Sequence, residues 1–410
     1  MEKILLINVS GADKPGVTRA VTRALGHYES SILDIGQAVI HDTLSLGVLA
    51  RIPEQQDLEV VQAEVLSSLS DLEMHVRFEP VTEKSYQAWV GQQGKPRHIV
   101  TLLARTIGAQ EIARITEITS AHGLNIDKIA RLSGRTPLDR LDTGDKACVE
   151  FSVRGETSDL GELRTSLLEL STELDVDVAY QEDTIFRRHR RLVVFDMDST
   201  LIESEVIDEL AIQAGVGAEV AAITERAMRG ELDFATSFRE RIALLEGLDE
   251  SVLETVYQQL SLSEGAEHLM QTLKTLGYKT AILSGGFTYF AERIRQRLGM
   301  DYMFANELDI NDGKVTGKVS GTIVDGERKA ELLVQLAAQE TISLEQTIAV
   351  GDGANDLLML SLAGLGIAFR AKPLVRANAK QAISNLGLDG VLYLMGISDR
   401  DVSTSYSSPG

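Results

Sequence analysis

Two carboxylates, Asp196 and Asp198, stand two residues apart directly behind the apolar run Leu192-Val193-Val194-Phe195. Acids this close resist joint ionisation unless a cation sits between them or one keeps its proton. The pair therefore points to Mg2+ chemistry combined with acid/base work. Two other polar clusters share that setting. Ser284-Gly285-Gly286-Phe287 follows Thr280-Ala281-Ile282-Leu283, and Gly351-Asp352-Gly353-Ala354-Asn355-Asp356 follows Thr347-Ile348-Ala349-Val350. Short apolar, β-branched runs bounded by glycine-bearing loops read as buried parallel strands. Ligands of open parallel sheets bind outside the carboxyl ends of the strands, so the three loops are expected to build one site. The 7 histidines show no metal-ligand spacing and read as structural.

The elements that must position these loops follow from the pattern. Between Asp198 and residue 262 the chain is helical in character, with Ala211, Ala214, Val220, Ala221, Ile223, Ile242, Leu244, Leu245 and Val252 as core positions. This predicts a helical insertion, over about 205–262, after the first core strand. A helix over 264–276, a strand over 279–283 and a hairpin around Asn311-Asp312-Gly313 come next, and Leu365 to Phe369 form a further strand. Residues 191–400 thus read as an α/β domain with a doubly wound, Rossmann-like parallel sheet, and 401–410 as a disordered tail.

Upstream, a strand over 3–9, the turn Gly11-Ala12-Asp13-Lys14-Pro15-Gly16-Val17, a helix, strands near 32–40 and 44–52, a helix near 57–69 and a strand near 73–79 make a βαββαβ unit over 1–84. Pro15 suits the start of that first helix. Residues 85–97, with Gly91, Gly94 and Pro96, read as a linker. The order then repeats over 98–183, and Ser31-Ile32-Leu33-Asp34-Ile35 parallels Leu124-Asn125-Ile126-Asp127-Lys128, which suggests a tandem duplication. The basic run Arg187-Arg188-His189-Arg190-Arg191 closes this region and, in so acidic a chain, is expected over 184–190 as a solvated linker paired with nearby carboxylates.

Charge and composition narrow the partners. A formal net charge of -21 argues against nucleic acid and anionic membranes. Any anionic substrate must then meet local positive charge. Cys148 is the only cysteine, so no intramolecular disulfide forms, and the apolar start is too short for a signal peptide. No apolar stretch reaches 18 residues, and a soluble cytoplasmic protein is expected.

Residues 191 to about 397 resemble the haloacid dehalogenase-type phosphatases with a helical cap, through Asp196-x-Asp198-Ser199-Thr200, Ser284, Lys329 and the Gly351-Asp352-Gly353-x-Asn355-Asp356 loop in that order. The resemblance implies Asp196 as the nucleophile, forming an aspartyl-phosphate, and Asp198 as the general acid and then base. It implies Mg2+ held by Asp196, the backbone carbonyl of Asp198 and Asp352, with Asp356 orienting a bound water. Lys329, Ser284, Gly285 and Asn355 would hold the phosphate, and Thr200 would position the nucleophile. A carboxylate attacks a phosphate dianion only where the repulsion is neutralised, which gives the metal and Lys329 their purpose. The cap segment Ala227-Met228-Arg229-Gly230-Glu231-Leu232-Asp233-Phe234, with Glu205 and Arg241, is similar to that of the phosphoserine phosphatases. By that likeness Glu205 would take the ammonium of O-phospho-L-serine, Arg241 its carboxylate in a bidentate fork, and Phe234 its apolar side.

Both βαββαβ units resemble ACT domains, which are ferredoxin-like amino-acid sensors. The first copy carries the ligand loop, with Gly11, Asp13, Pro15 and Gly16, whereas the second has Arg105-Thr106-Ile107-Gly108 and lacks its Asp and Pro. The likeness implies serine or another amino acid as effector and a homo-oligomer. Three other readings fit the same residues: a phosphatase for another small phosphate, a phosphotransferase, and an amino-acid-sensing regulator with a vestigial phosphatase fold.

Overall fold

The computed structural model describes residues 3–135, 137–138, 146–157 and 159–405. The chain divides into two compact units, Met1–Lys95 and Pro96–Gly410.

In the first unit, β1 (Lys3–Ala12), α1 (Val17–His27), β2 (Ser31–Ile40), β3 (Thr43–Ile52), α2 (Leu58–Leu69) and β4 (His75–Val81) form an antiparallel sheet of order β2-β3-β1-β4 with two helices. Strand alternation sends Leu5, Ile7 and Val9 to one face, where Val17, Val21 and Leu25 of α1 and Val61 and Val65 of α2 cover them. Each such burial contributes about 1.5–3 kcal/mol. The expected linker departs from the sequence reading, because Glu83–Gln92 form a helix, α3. The Thr82 side chain accepts a hydrogen bond from the Ser85 amide at 3.2 Å, and this N-cap starts the helix that the neighbouring glycines concealed.

The second unit opens with the same order of elements. These are β5 (Arg97–Ala104), α4 (Ala109–Ala121), β6 (Asn125–Arg131), β7 (Ala147–Arg154), α5 (Leu160–Glu173) and β8 (Asp177–Glu182), in a sheet of order β6-β7-β5-β8. Its helices cover one face. Leu103, Cys148 and Ala179 on the other face join the core of the C-terminal domain. The Gln381 side chain accepts from the Tyr180 amide at 3.0 Å and donates to the Tyr180 carbonyl at 2.6 Å, while Asp177 Oδ2 accepts from the amides of Ser384 and Asn385 at 2.7 and 2.8 Å. The basic run also departs from expectation. Arg187 and Arg190 are buried, Arg187 is ion-paired to Glu150, and Arg190 donates to the Arg187 carbonyl at 3.1 Å. Docking of the repeat onto the C-terminal domain buried these two arginines, while Arg188, His189 and Arg191 stay exposed.

The C-terminal domain begins at β9 (Leu192–Phe195), which lies at the centre of a seven-stranded sheet. The cap follows as α6 (Val206–Ala214), α7 (Gly217–Met228), α8 (Phe234–Ala243) and α9 (Ser251–Gln259). The chain returns through α10 (Ala266–Thr275), β10 (Lys279–Phe287), α11 (Thr288–Leu298), the hairpin β11 (Tyr302–Asn311) and β12 (Lys314–Ser320), and α12 (Gly326–Gln339). It ends with β13 (Thr347–Gly351), α13 (Leu357–Leu362), β14 (Leu365–Phe369), α14 (Pro373–Asn378), β15 (Gln381–Ile383), α15 (Val391–Leu394) and α16 (Asp399–Ser405). The order is β12-β11-β10-β9-β13-β14-β15; β9 pairs parallel with β10 and β13, and only the β11–β12 pair is antiparallel. Helix α16 occupies part of the expected frayed tail, and 406–410 lie outside the described residues. The cap's entry and exit segments pair at its base. Ile202 bridges Leu262, the Glu203 amide donates to the Ser261 carbonyl at 3.0 Å, and the Ser263 amide donates to the Leu201 carbonyl at 2.9 Å.

Candidate active site

Strand β9 is buried on both faces, which delivers Asp196 to the carboxyl edge of the sheet. Lys329, in the second turn of α12, is fully buried and bridges Asp196 Oδ1 at 2.8 Å and Asp356 Oδ1 at 2.7 Å. Asp325 begins that helix by accepting from the Arg328 amide at 2.9 Å, which fixes where Lys329 points. Asp196 Oδ1 also accepts from the Met197 amide at 2.8 Å. Asp356 Oδ2 accepts from the Gly353 amide at 2.9 Å, and Thr200 donates to Asp352 Oδ1 at 2.9 Å. Thr200 therefore holds Asp352 and not the nucleophile it was expected to position.

Oxygens of Asp196, Asp352 and Asp356 lie within 4.8 Å of one another. Three carboxylates there face the single ammonium of Lys329, and an excess of negative charge in a buried place calls for a cation. Burial raises the Asp196 carboxyl well above its usual range, Asp356 adds to the rise and Lys329 opposes it. Asp352 is pushed up to about 7 by burial and then by Asp356 and Glu205. For Lys329, burial works against the charge, but Asp196 and Asp356 outweigh it and hold the ammonium protonated. Hard oxygen donors around such a charge deficit fit a divalent metal.

Asp198 is placed differently. Its Oδ1 accepts from the Val206 amide at 3.0 Å, at the start of the cap, and its Oδ2 faces Ser284 Oγ at 3.5 Å. Burial, and then the charge of Glu205, push its pKa up to about 8, the direction a proton donor needs. Ser284 Oγ accepts from the Gly286 amide at 2.9 Å. A Cβ at position 286 would overlap Asp198 Oδ2, so any larger residue there would push the Asp198 carboxyl from its place.

The cap contributes three of the expected residues. Glu205 precedes α6 and accepts from Ser199 at 2.9 Å. Arg241 on α8 senses the charges of Glu205, Asp208 and Asp198, yet its buried Nε has no hydrogen-bond partner. Phe234 follows Asp233, whose carboxylate caps α8 at Thr236, and its ring reaches Gly285 so closely that a Cβ there would lie 3.0 Å from Cζ. Asn355 turns its side-chain oxygen toward Gly353. Asp196, Lys329, Asp352 and Asp356 thus form one contact group and Asp198 and Ser284 another, the two interacting through charge, with Glu205, Phe234 and Arg241 reaching them from the cap.

The first unit carries a separate cavity. A cavity of about 300 Å³ is lined by Asp13, Lys14, Pro15, Gly16 and Gln37, among others, and Thr18 donates to Gln37 at 2.7 Å. Gly16, at φ 102°, caps α1 in the left-handed region that a side chain would disfavour. Gly11, expected in the ligand loop, is not among the lining residues and packs against Met74 instead.

Comparison with known proteins agrees with this architecture. Residues 190–364 match the haloacid dehalogenase-like hydrolases, and residues 3–79 and 96–181 match ACT domains. A phosphoserine phosphatase of Streptomyces coelicolor is 40% identical over 98% of this chain and 94% of its own length, and one of Mycobacterium tuberculosis is 40% identical over 98% and 95%. This chain belongs to the phosphoserine phosphatase family. Among solved structures, a probable phosphoserine phosphatase from Vibrio cholerae superposes with a TM-score of 0.58 at 35% identity, covering 75% of this chain and 88% of that one. A haloacid dehalogenase family hydrolase of Salmonella enterica superposes with a TM-score of 0.62 at 33% identity, over 73% and 99%. The chain is accordingly a hydrolase with the haloacid dehalogenase fold, a helical cap and two ACT domains.

Within this phosphatase, two supports escaped the sequence reading. Asn306 on β11 is buried, donates to the Gly285 carbonyl at 2.8 Å and accepts from the Val324 amide at 2.8 Å; this pins Ser284–Gly286, which is not the loop expected after residue 283 but an irregular stretch of β10 where its register against β11 shifts. Phe238 stacks between Phe234, at 5.8 Å, and Phe287, at 6.0 Å, joining cap to core. An isolated Asn in a strand carries no motif. The i, i+4 spacing of Phe234 and Phe238 was the available signal for the second.

Proposed function

We infer that the chain hydrolyses O-phospho-L-serine to L-serine and phosphate. The observation that carries this reading is Arg241, a cap guanidinium with a buried, unpartnered Nε, set close to Glu205 and to Asp198. A substrate carboxylate would satisfy the arginine, a substrate ammonium would answer Glu205, and Phe234 would close over the carbon between them. A phosphate monoester lacking either charge would leave a buried polar group unpaired, which is the stronger source of discrimination.

In this reading Asp196 attacks phosphorus through the oxygen that Lys329 and the Met197 amide leave free. The Asp196 oxygen bonds to phosphorus as the bond to the serine oxygen breaks, and Asp198 gives its proton to that departing oxygen. Asp198, now a carboxylate, takes a proton from water as the water attacks the aspartyl-phosphate. Phosphate leaves, and both aspartates return to their starting states. Lys329, the Ser284 hydroxyl, the Gly285 amide and Asn355 stabilise the phosphoryl oxygens. Asp196, Asp352 and the Asp198 carbonyl would hold Mg2+, with Asp356 orienting a bound water, and the ion would offset the charge of the phosphate.

The first ACT domain we assign to an amino-acid effector, serine foremost, with Asp13, Pro15, Gly16 and Gln37 about the ligand. The enzyme would work as a homo-oligomer in the cytoplasm, where the lone buried thiol of Cys148 stays reduced. The test is Mg2+-dependent phosphate release from phosphoserine beside phosphothreonine, phosphoglycolate and a sugar phosphate, with Asp196→Asn as control. A kcat/KM for phosphoserine far above the others, abolished in the variant, is expected. Preference for another of the four would overturn the roles of Glu205 and Arg241.

A further inference from the structure

The two ACT copies use the same loop for different ends. In the first, the segment after β1 lines a cavity. In the second, the segment after β5 begins with Arg105, whose guanidinium forms a bidentate pair with Glu264, Nη1 to Oε1 at 2.8 Å and Nη2 to Oε2 at 2.6 Å. Arg370, just beyond β14, reaches the same carboxylate from the sheet side at 2.7 Å. The Glu264 backbone is held as well, since its carbonyl accepts from the Leu388 amide at 2.6 Å. The next residue on that loop, Asp389, is ion-paired to Lys146 at the start of β7, a second charged tie between the ACT domain and this corner.

Glu264 sits two residues past Leu262, on the exit side of the cap's base. The entry side, Leu201 to Glu203, is paired to the exit side through Ile202–Leu262 and two backbone hydrogen bonds. It continues directly from Thr200, which holds Asp352, and leads into Glu205. A displacement of the exit segment is therefore passed through this pairing to Glu205, the residue that meets the substrate.

We propose that Glu264 is a positioning residue for cap closure and that Arg105 makes the second ACT domain its anchor. The loop that would have bound a small ligand has become a strut, which couples the regulatory repeat to the base of the cap. An exposed arginine–carboxylate pair is ordinarily worth little, but bidentate geometry, a second arginine and a held backbone raise what this one can fix. The proposal rests on the reading that the cap closes over phosphoserine, since only a substrate that engages Glu205 and Arg241 draws on the geometry of that base.

The test uses the full-length chain loaded with Mg2+, as Arg105→Gln, Glu264→Gln, the double variant and Arg105→Lys. Each is assayed on phosphoserine and on p-nitrophenyl phosphate, which has neither ammonium nor carboxylate. Expected is a rise of about three- to ten-fold in KM for phosphoserine in each single variant, no further rise in the double, and partial recovery in Arg105→Lys. Turnover of p-nitrophenyl phosphate should stay within about twofold. Phosphoserine constants unchanged in all variants would overturn the proposal. So would losses that multiply in the double variant, or equal losses on both substrates, which mark general loosening. A wild-type chain that hydrolyses p-nitrophenyl phosphate but not phosphoserine would instead refute the substrate assignment.

Discussion

Replacing Arg241 by methionine should weaken catalysis severely while leaving the fold nearly as stable as before. The guanidinium is largely buried, and its Nε makes no hydrogen bond. Its charge is opposed first by burial and supported by Glu205, Asp208 and Asp198. Relief of an unsatisfied buried donor is worth about 1–3 kcal/mol. Loss of attraction to the three acids works the other way, Glu205 first, and Asp208, whose carboxyl burial already raises and Arg241 lowers, loses its counter-charge as well. The two effects are comparable, so the net change should stay within about 1 kcal/mol, or roughly 2–4 °C in Tm. The substrate complex has no such cancellation. A desolvated charge pair lost from one side costs about 3–4 kcal/mol, a fall of about 10²–10³-fold in kcat/KM for phosphoserine. The assay pairs steady-state phosphate release with thermal unfolding, and p-nitrophenyl phosphate serves as the indifferent substrate. A kcat/KM for phosphoserine within threefold of wild type would refute the reasoning. A Tm drop beyond about 5 °C would refute it too, since Arg241 would then be a structural tie.

Lys329→Met should lose about 3–5 kcal/mol of stability in metal-free buffer, because Asp196 and Asp356 lose their shared counter-charge; added divalent cation should recover much of the loss, and equal Tm values without metal would contradict the charge count. Its turnover should fall by at least about 10²-fold. Gly286→Ala forces Asp198 aside and should cut kcat by about 10²-fold with Asp196 still able to bind metal, so retained kcat would show that Asp198 is not the proton donor. Burial raises the Asp177 carboxyl above 3.8, partly countered by the Asn385 and Ser384 amides and Arg376. The folded state then binds the proton more tightly than the unfolded chain, so stability falls as pH rises from about 3.8 to the folded pKa and is level above it. Asp177→Asn should remove that slope, and Tm values at pH 4 and 6 that differ as much as in wild type would count against the assignment.

The chemistry of this phosphatase was legible because it is local. Four buried residues of β9 followed by Asp196, and two further strand ends with Ser284 and Asp352, state both a parallel sheet and a site at its edge, since period and strand polarity place such side chains before any packing is known. The βαββαβ repeats were legible for the same reason, and the observed orders β2-β3-β1-β4 and β6-β7-β5-β8 match. What the sequence left open depends on contacts across long separations. Thr200 reads as the neighbour of Asp196, yet its hydroxyl reaches Asp352, 152 positions away. Asn306 gained its place only when β11 lay beside β10. Arg187 reads as solvated because charges usually are, but the face of the second ACT sheet that carries Leu103, Cys148 and Ala179 was already committed to the C-terminal domain, and Arg187 and Arg190 were buried beside it. The stretch of β5 from Ile99 to Ala104, apolar except for Thr101 and buried on both faces, was the trace of that docking, whereas β1 alternates. A single sequence shows that such a face must be covered; only the folded chain shows that the phosphatase domain covers it, and that Arg105 ends at the base of the cap.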